Sequence, residues 1–246
     1  MVVESRPWSV VARNLPEHAD NAVHTDDGAR AAGFRAALVA GTTLHAYLTH
    51  SIIEAWGPGW LADGTSMVEF LAPVHDGDRV DCVPVTRPDG STEIRAEVGS
   101  ELRARLVAHR GWRSAPAVAA VPDGEVLPSY VEVLEGPRTD YAHRAGDDLS
   151  LCAQEGLVHP CVWTALANEV MVRHLVEPPW IHVRSRIIHH GIALVGATVR
   201  VDATVVDRFE TRRGSCAVVD VRISVDDHPV ATVRHEALVS LAVPSG

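Results

Sequence analysis

Apolar residues recur at three- and four-residue steps between Thr42 and Trp56, through Leu44, Tyr47, Leu48, Ile52 and Trp56. That spacing predicts a helix with one buried stripe. Trp163, Leu166, Val170, Met171 and Leu175 repeat the pattern and predict a second helix. Gly57-Pro58-Gly59 stops the first and Pro178-Pro179 the second, since proline lacks the N–H that a helix interior requires. After each helix the period drops to two, the mark of half-buried strands. Val199, Val201, Ala203 and Val205 alternate with Thr198, Arg200, Asp202 and Thr204. Val219/Val221/Ile223/Val225 and Ala231/Val233/His235/Ala237/Val239 do the same on either side of a turn at Asp226-Asp227-His228. The first half offers Ile94/Ala96/Val98 and Leu102/Ala104/Leu106/Ala108 after a turn at Pro88-Asp89-Gly90.

A shift of 119 residues lays one half of the chain over the other: Val39 falls on Val158, Ile53 on Val172, Val68 on Ile187, Gly77 on Gly196 and Val80 on Val199. Trp60 and Trp180 match with one residue of slippage. Helix followed by antiparallel meander, twice over, predicts an α+β fold of two like units. A helix with a broad apolar stripe needs an apolar sheet face to cover it, and four or five strands supply one by curling around it. Pairing the two sheets edge to edge removes strand edges that invite aggregation. Ser114 to Pro128 has no sustained period and contains three prolines, so it is expected to be a surface linker between units at 1–113 and 129–246.

Composition narrows the chemistry. The 246 residues are 46% hydrophobic and 22% charged, which is ordinary for a globular chain. No apolar run approaches the ~18 residues of a spanning helix, and the opening MVVESRPWSV lacks a basic start followed by an apolar stretch. A cytoplasmic protein with no membrane partner is expected. All 22 basic residues are arginine, which excludes Schiff-base chemistry on lysine. A net charge of -10 argues against nucleic acid as a partner and leaves room for a local arginine pocket around a phosphorylated ligand. Cys82, Cys152, Cys161 and Cys216 form no CxxC pair and are expected to be buried free thiols. His182, His189 and His190 have strand spacing, so His189 and His190 face opposite sides; no metal site or cofactor is expected.

The segment His18-Ala19-Asp20-Asn21-Ala22-Val23-His24-Thr25-Asp26 is polar and runs, through Ala31-Ala32-Gly33-Phe34 and Val39-Ala40-Gly41-Thr42, into the start of the first helix. NAVH, then AAGF, then AG at the helix start, with Phe70-Leu71-Ala72-Pro73-Val74 and Gly77-Asp78 downstream, resembles the MaoC-like hydratases and dehydratases. The resemblance covers residues 14 to 86 by motif and 158 to 241 by fold pattern alone. In the second half Tyr141-Ala142-His143-Arg144-Ala145-Gly146-Asp147 takes the motif's place without matching it.

The resemblance implies a double hot-dog fold, in which a curved antiparallel sheet wraps each of two central helices. It further implies hydration or dehydration of an enoyl or 3-hydroxyacyl thioester carried on coenzyme A or an acyl carrier protein, without a cofactor, and a homodimer by analogy. Asn21 and His24 match the motif's Asn and His, while its Asp position holds Ala19. Asp20, one place later, is the candidate for the second proton-handling group that hydration requires. His24 is the candidate general acid or base. Gly41, at a helix start where backbone N–H groups lack intrahelical partners, either admits a thioester oxygen to its amide or merely permits a tight turn. His18 is expected at the surface or as a neighbour of the site. His45, His50 and His109 are expected in surface or interface packing. Asn168 and Glu169 in the second helix carry the alternative of a hot-dog thioesterase, although Glu169 lies off the apolar stripe. A non-catalytic acyl-binding protein is the third reading, since Ala19 removes a carboxylate.

Overall fold

The computed structural model describes residues 4–111, 123–176 and 178–242. The first unit runs β1 (Trp8–Val11), α1 (Asp26–Ala31), α2 (Gly41–Trp56), α3 (Trp60–Asp63), β2 (Thr65–Phe70), β3 (Arg79–Thr86), β4 (Thr92–Val98) and β5 (Glu101–His109). The second runs β6 (Glu125–Val133), α4 (Tyr141–Arg144), α5 (Leu151–Gln154), α6 (Cys161–His174), β7 (Ile181–His189), β8 (Thr198–Thr211), β9 (Gly214–Val225) and β10 (His228–Leu238). The two long helices and the alternating strands fall where the periodicity predicts them. Of the expected linker, residues 114–122 lie outside the described residues, and Glu125 to Pro128 open β6 instead. Backbone pairing with β8 overrides the weak period and the proline there: a register irregularity between Leu127 and Tyr130 accommodates Pro128.

All ten strands join one sheet in the order β1-β3-β4-β5-β2-β7-β10-β9-β8-β6. Each unit contributes five, and the seam joins the equivalent strands β2 and β7 antiparallel, from Thr65 opposite Ile188 to Glu69 opposite Arg184. The edge-to-edge pairing expected from the sequence is therefore present. Asp226 and Asp227 adopt φ of 48° and 62° in the two-residue turn between β9 and β10, which suits the strand twist there.

The sheet curls around both helices, with α2 against β3, β4 and β5, and α6 against β7 and β10. The apolar stripe expected of α2 widens into near-complete burial, from Thr42 to Ile53, because α6 and the loop before it close the face the sheet leaves open. Two polar residues carried inside find backbone partners: Thr49 Oγ1 donates to the His45 carbonyl at 2.9 Å and Ser51 Oγ to the Arg6 carbonyl at 2.7 Å. His45 and His50, expected in surface or interface packing, are buried. His45 Nδ1 lies 3.1 Å from Thr164 Oγ1 on α6, and His50 Nδ1 lies 2.6 Å from the buried Asp147 carboxylate. The four cysteines are free and buried. Among the described residues no helix is long and apolar enough to cross a membrane.

Candidate active site

A cavity of about 1130 Å³ opens where the loop before α2 meets the second unit. His18, Asp20, Asn21, His24, Gly41 and Tyr141 all line it, together with Phe70, Asn168, Trp180 and His182. The sequence motif and residues from the degenerate half thus share one chamber.

The loop is held by its own backbone. Ala22–His24 forms a single 3-10 turn after Asn21, and the Leu38 amide donates to the Val23 carbonyl at 2.9 Å. His24 Nδ1 lies 2.7 Å from the Leu38 carbonyl. A carbonyl can only accept, so Nδ1 carries the proton and Nε2 is left with its lone pair. Asn14 Nδ2 donates to the His24 carbonyl at 2.8 Å and fixes the residue from the other side. Burial pushes the His24 pKa below 6.5, and the Leu38 bond opposes that only in part. The ring is therefore neutral near pH 7, with one basic nitrogen.

His18 is drawn into the site, where its ring centroid stands 5.4 Å from that of His24. Its Nε2 lies 2.6 Å from the Tyr141 hydroxyl, which lies 2.6 Å from Thr43 Oγ1 inside α2. Burial, and then the proximity of His24, lower the His18 pKa to about 4. No signal in the motif pointed to Tyr141; it stands in the stretch of the second half that fails to match.

Asn21 is 9% exposed and spends its amide on the second unit. Its Nδ2 donates to the Trp180 carbonyl at 2.9 Å, and its Oδ1 accepts the Trp180 N–H at 3.2 Å. Asn21 therefore holds the loop against the second unit, with one amide N–H and one Oδ1 lone pair committed to Trp180. Asp20 stands exposed at the cavity rim and forms no hydrogen bond, and no carboxylate bonds His24 among the described residues. Asp26 accepts the Ala37 N–H at 2.9 Å, while Thr25 caps α1.

Gly41 is the first residue of α2, whose N-cap Ala40 contributes no side-chain bond. Its backbone N–H therefore has no partner within the helix and sits at the positive end of the dipole. A Cβ on Gly41 would stand 2.9 Å from His182 Nδ1 and 3.1 Å from the Phe70 ring, so close approach rather than an unusual φ explains the glycine. His182 cannot yield easily: its Nε2 lies 2.8 Å from Ser185 Oγ, which lies 2.9 Å from His235 Nδ1, all buried.

On α6, Asn168 Nδ2 donates to Thr42 Oγ1 at 3.0 Å, while Glu169 is engaged by Arg173 Nε at 2.8 Å. Arg212 and Arg213, in the turn between β8 and β9, line the outer cavity, and neither guanidinium has an ion-pair partner among the described residues. His50, Asp147 and Asp148 bring ligand-type atoms within 4.8 Å of one another. Asp147 Oδ1 there already accepts from His50 Nδ1 and from the Leu149 N–H at 2.9 Å, a pattern of hydrogen bonding and loop closure.

No protein-family model and no curated protein matches the sequence. Solved structures do match over nearly the whole chain. A conserved hypothetical protein of Mycobacterium tuberculosis, described as having a double hot-dog fold, is 14% identical with a TM-score of 0.64, covering 96% of each chain. A Chloroflexus aurantiacus protein named for a MaoC dehydratase domain is 13% identical with a TM-score of 0.63, covering 98% of this chain and 95% of its own. A Lactobacillus plantarum protein named as an oleoyl thioesterase is 8% identical with a TM-score of 0.57, covering 97% and 98%. At these identities the likeness is one of fold, and with five strands around each of two helices the chain is a double hot-dog protein.

Proposed function

We propose that the chain is a MaoC-like hydratase or dehydratase acting on an enoyl or 3-hydroxyacyl thioester. The observation that carries this reading is the pose of His24: its Nδ1–H is committed to the Leu38 carbonyl, so the basic Nε2 belongs to a chamber that also holds the uncapped start of α2. An α-proton and a developing enolate oxygen need those two things side by side, a neutral base and fixed N–H donors. In the dehydration direction His24 Nε2 takes the α-proton and the electron pair moves onto the thioester oxygen at the Gly41 amide. The enolate then collapses to the double bond as the β-hydroxyl, receiving the proton taken from the α-carbon, leaves as water. Arg212 and Arg213 suit the phosphates of coenzyme A or of a carrier protein's prosthetic arm. The dehydratase name carried by the Chloroflexus protein agrees with this reading.

The thioesterase reading draws on the Lactobacillus protein's name, but its carboxylate, Glu169, is tied to Arg173 and partly exposed. The test is hydration of a panel of short- and long-chain enoyl-CoA thioesters by wild type and His24→Ala. Turnover lost in the variant, with unchanged unfolding behaviour, supports the assignment. Release of free thiol without hydration selects the thioesterase, and binding without turnover selects an acyl-binding protein.

A further inference from the structure

Hydration moves two protons, one at the water oxygen and one at the α-carbon, and among the described residues no carboxylate bonds His24 to handle the first. The chamber brings a different group to that place. His18 lines the cavity with its ring 5.4 Å from the ring of His24, and its Nδ1 bonds nothing among the described residues. Its Nε2 is anchored through Tyr141 to Thr43 by two contacts of 2.6 Å, so the ring is held at both the α2 and second-unit walls. Glu17 and Arg144 are the charged groups beside it; they pair with each other at 2.6 Å and leave the imidazole as the proton carrier there.

Resting on the proposed hydratase reading, we infer that His18 is a second catalytic residue that works on the water oxygen, sharing one mobile proton with His24, while Tyr141 is a positioning residue that sets its tautomer. In this arrangement His18 Nε2–H donates to the Tyr141 oxygen, the Tyr141 O–H donates to Thr43 Oγ1, and His18 Nδ1 presents a lone pair. In hydration His18 Nδ1 takes a proton from water as the oxygen bonds to the β-carbon and the double-bond pair moves onto the thioester oxygen. The proton passes from the His18 imidazolium to His24 Nε2 and then to the α-carbon, where the enolate pair returns to form the C–H bond. Both rings end neutral, and water has been added. Dehydration runs the same path backwards. Two cations this close repel, which matches a pair carrying one proton between them. The second unit, which has lost the motif, would thereby contribute to the surviving site through Tyr141.

The test separates the two proton transfers. His18→Gln keeps an N–H for Tyr141 and removes the base. Its hydration of crotonyl-CoA is expected to fall by about 10²–10⁴-fold. Deuterium exchange at the α-carbon of butyryl-CoA, which needs His24 alone, is expected to stay within about threefold of wild type. His24→Ala loses both activities. Tyr141→Phe is expected to lower kcat by about tenfold with KM unchanged. Hydration retained in His18→Gln overturns the inference, as does loss of exchange together with hydration, which would mark a merely structural residue. If wild type itself hydrates no enoyl thioester, the hydratase reading falls and the inference with it; if wild type and His18→Gln both hydrate, only the inference falls.

Discussion

The side-chain amide of Asn21 pairs with both backbone polar groups of Trp180, 159 positions along the chain and in the other unit. One residue of the recognisable motif is thus a clamp across the pseudo-symmetric seam. Asn21→Ala leaves a buried N–H and C=O without partners, which costs about 1–3 kcal/mol each way such groups are orphaned. The expected result is a lower urea midpoint and a rise in KM through loosening of the loop that carries His18 and His24. Unchanged stability would show that water replaces the amide without loss.

Gly41→Ala places a methyl group against Phe70 and a His182 ring fixed by Ser185. Alanine favours a helix more than glycine does, by roughly 1 kcal/mol, but overpacking a fixed wall costs about 1–3 kcal/mol. The variant is expected to be no more stable than wild type in thermal unfolding and to lose turnover, because the new methyl group fills the approach to the helix-start amide. A variant that is both stabilised and fully active would refute the close-approach account.

If His24 acts as the base, it must be neutral, and burial holds its pKa below 6.5. The rate of kcat/KM for hydration is therefore expected to be flat through pH 7 and to fall with a one-proton slope only below pH 6.5. An inflection above 6.5 on the acidic limb would remove His24 from that role.

Stability is expected to depend on pH in the same sense. Burial lowers the pKa of His18 and His159 to about 4, and of His45, His189 and His235 to about 3. Above the unfolded value of 6.5 both states are neutral at these rings and nothing is gained or lost. Below it the unfolded chain takes up protons that the native chain refuses, so native stability falls, by on the order of 1 kcal/mol per such histidine for each pH unit. Urea midpoints measured from pH 8 down to pH 4.5 should be level at first and then drop steeply. A midpoint that holds steady to pH 4.5 would mean that the rings are hydrated or paired in solution.

Much of the architecture was legible without coordinates, because burial periodicity is a local property. Leu44, Tyr47, Leu48 and Ile52 marked α2, Val199 to Val205 marked the core of β8, and the 119-residue echo announced two equivalent units. What failed locally was the end of the expected linker. Glu125 to Pro128 have no strong period, and only hydrogen bonding to β8 makes them a strand. Likewise α2 showed one stripe in sequence while the fold buries almost its whole circumference, since the covering helix comes from the other half.

The sequence by itself determined the two-unit plan and the polar loop ahead of α2, and it nominated His24 and Gly41 as candidates, all of which rests on order along the chain. Tertiary structure alone decided the partners. It turned Asn21 towards Trp180, left Asp20 at the rim, drew His18 inward against Tyr141 and aimed the bulk of His182 and Phe70 at Gly41. Those contacts join residues up to 159 positions apart, and no spacing rule reaches across a seam that forms only when two sheets close around their helices.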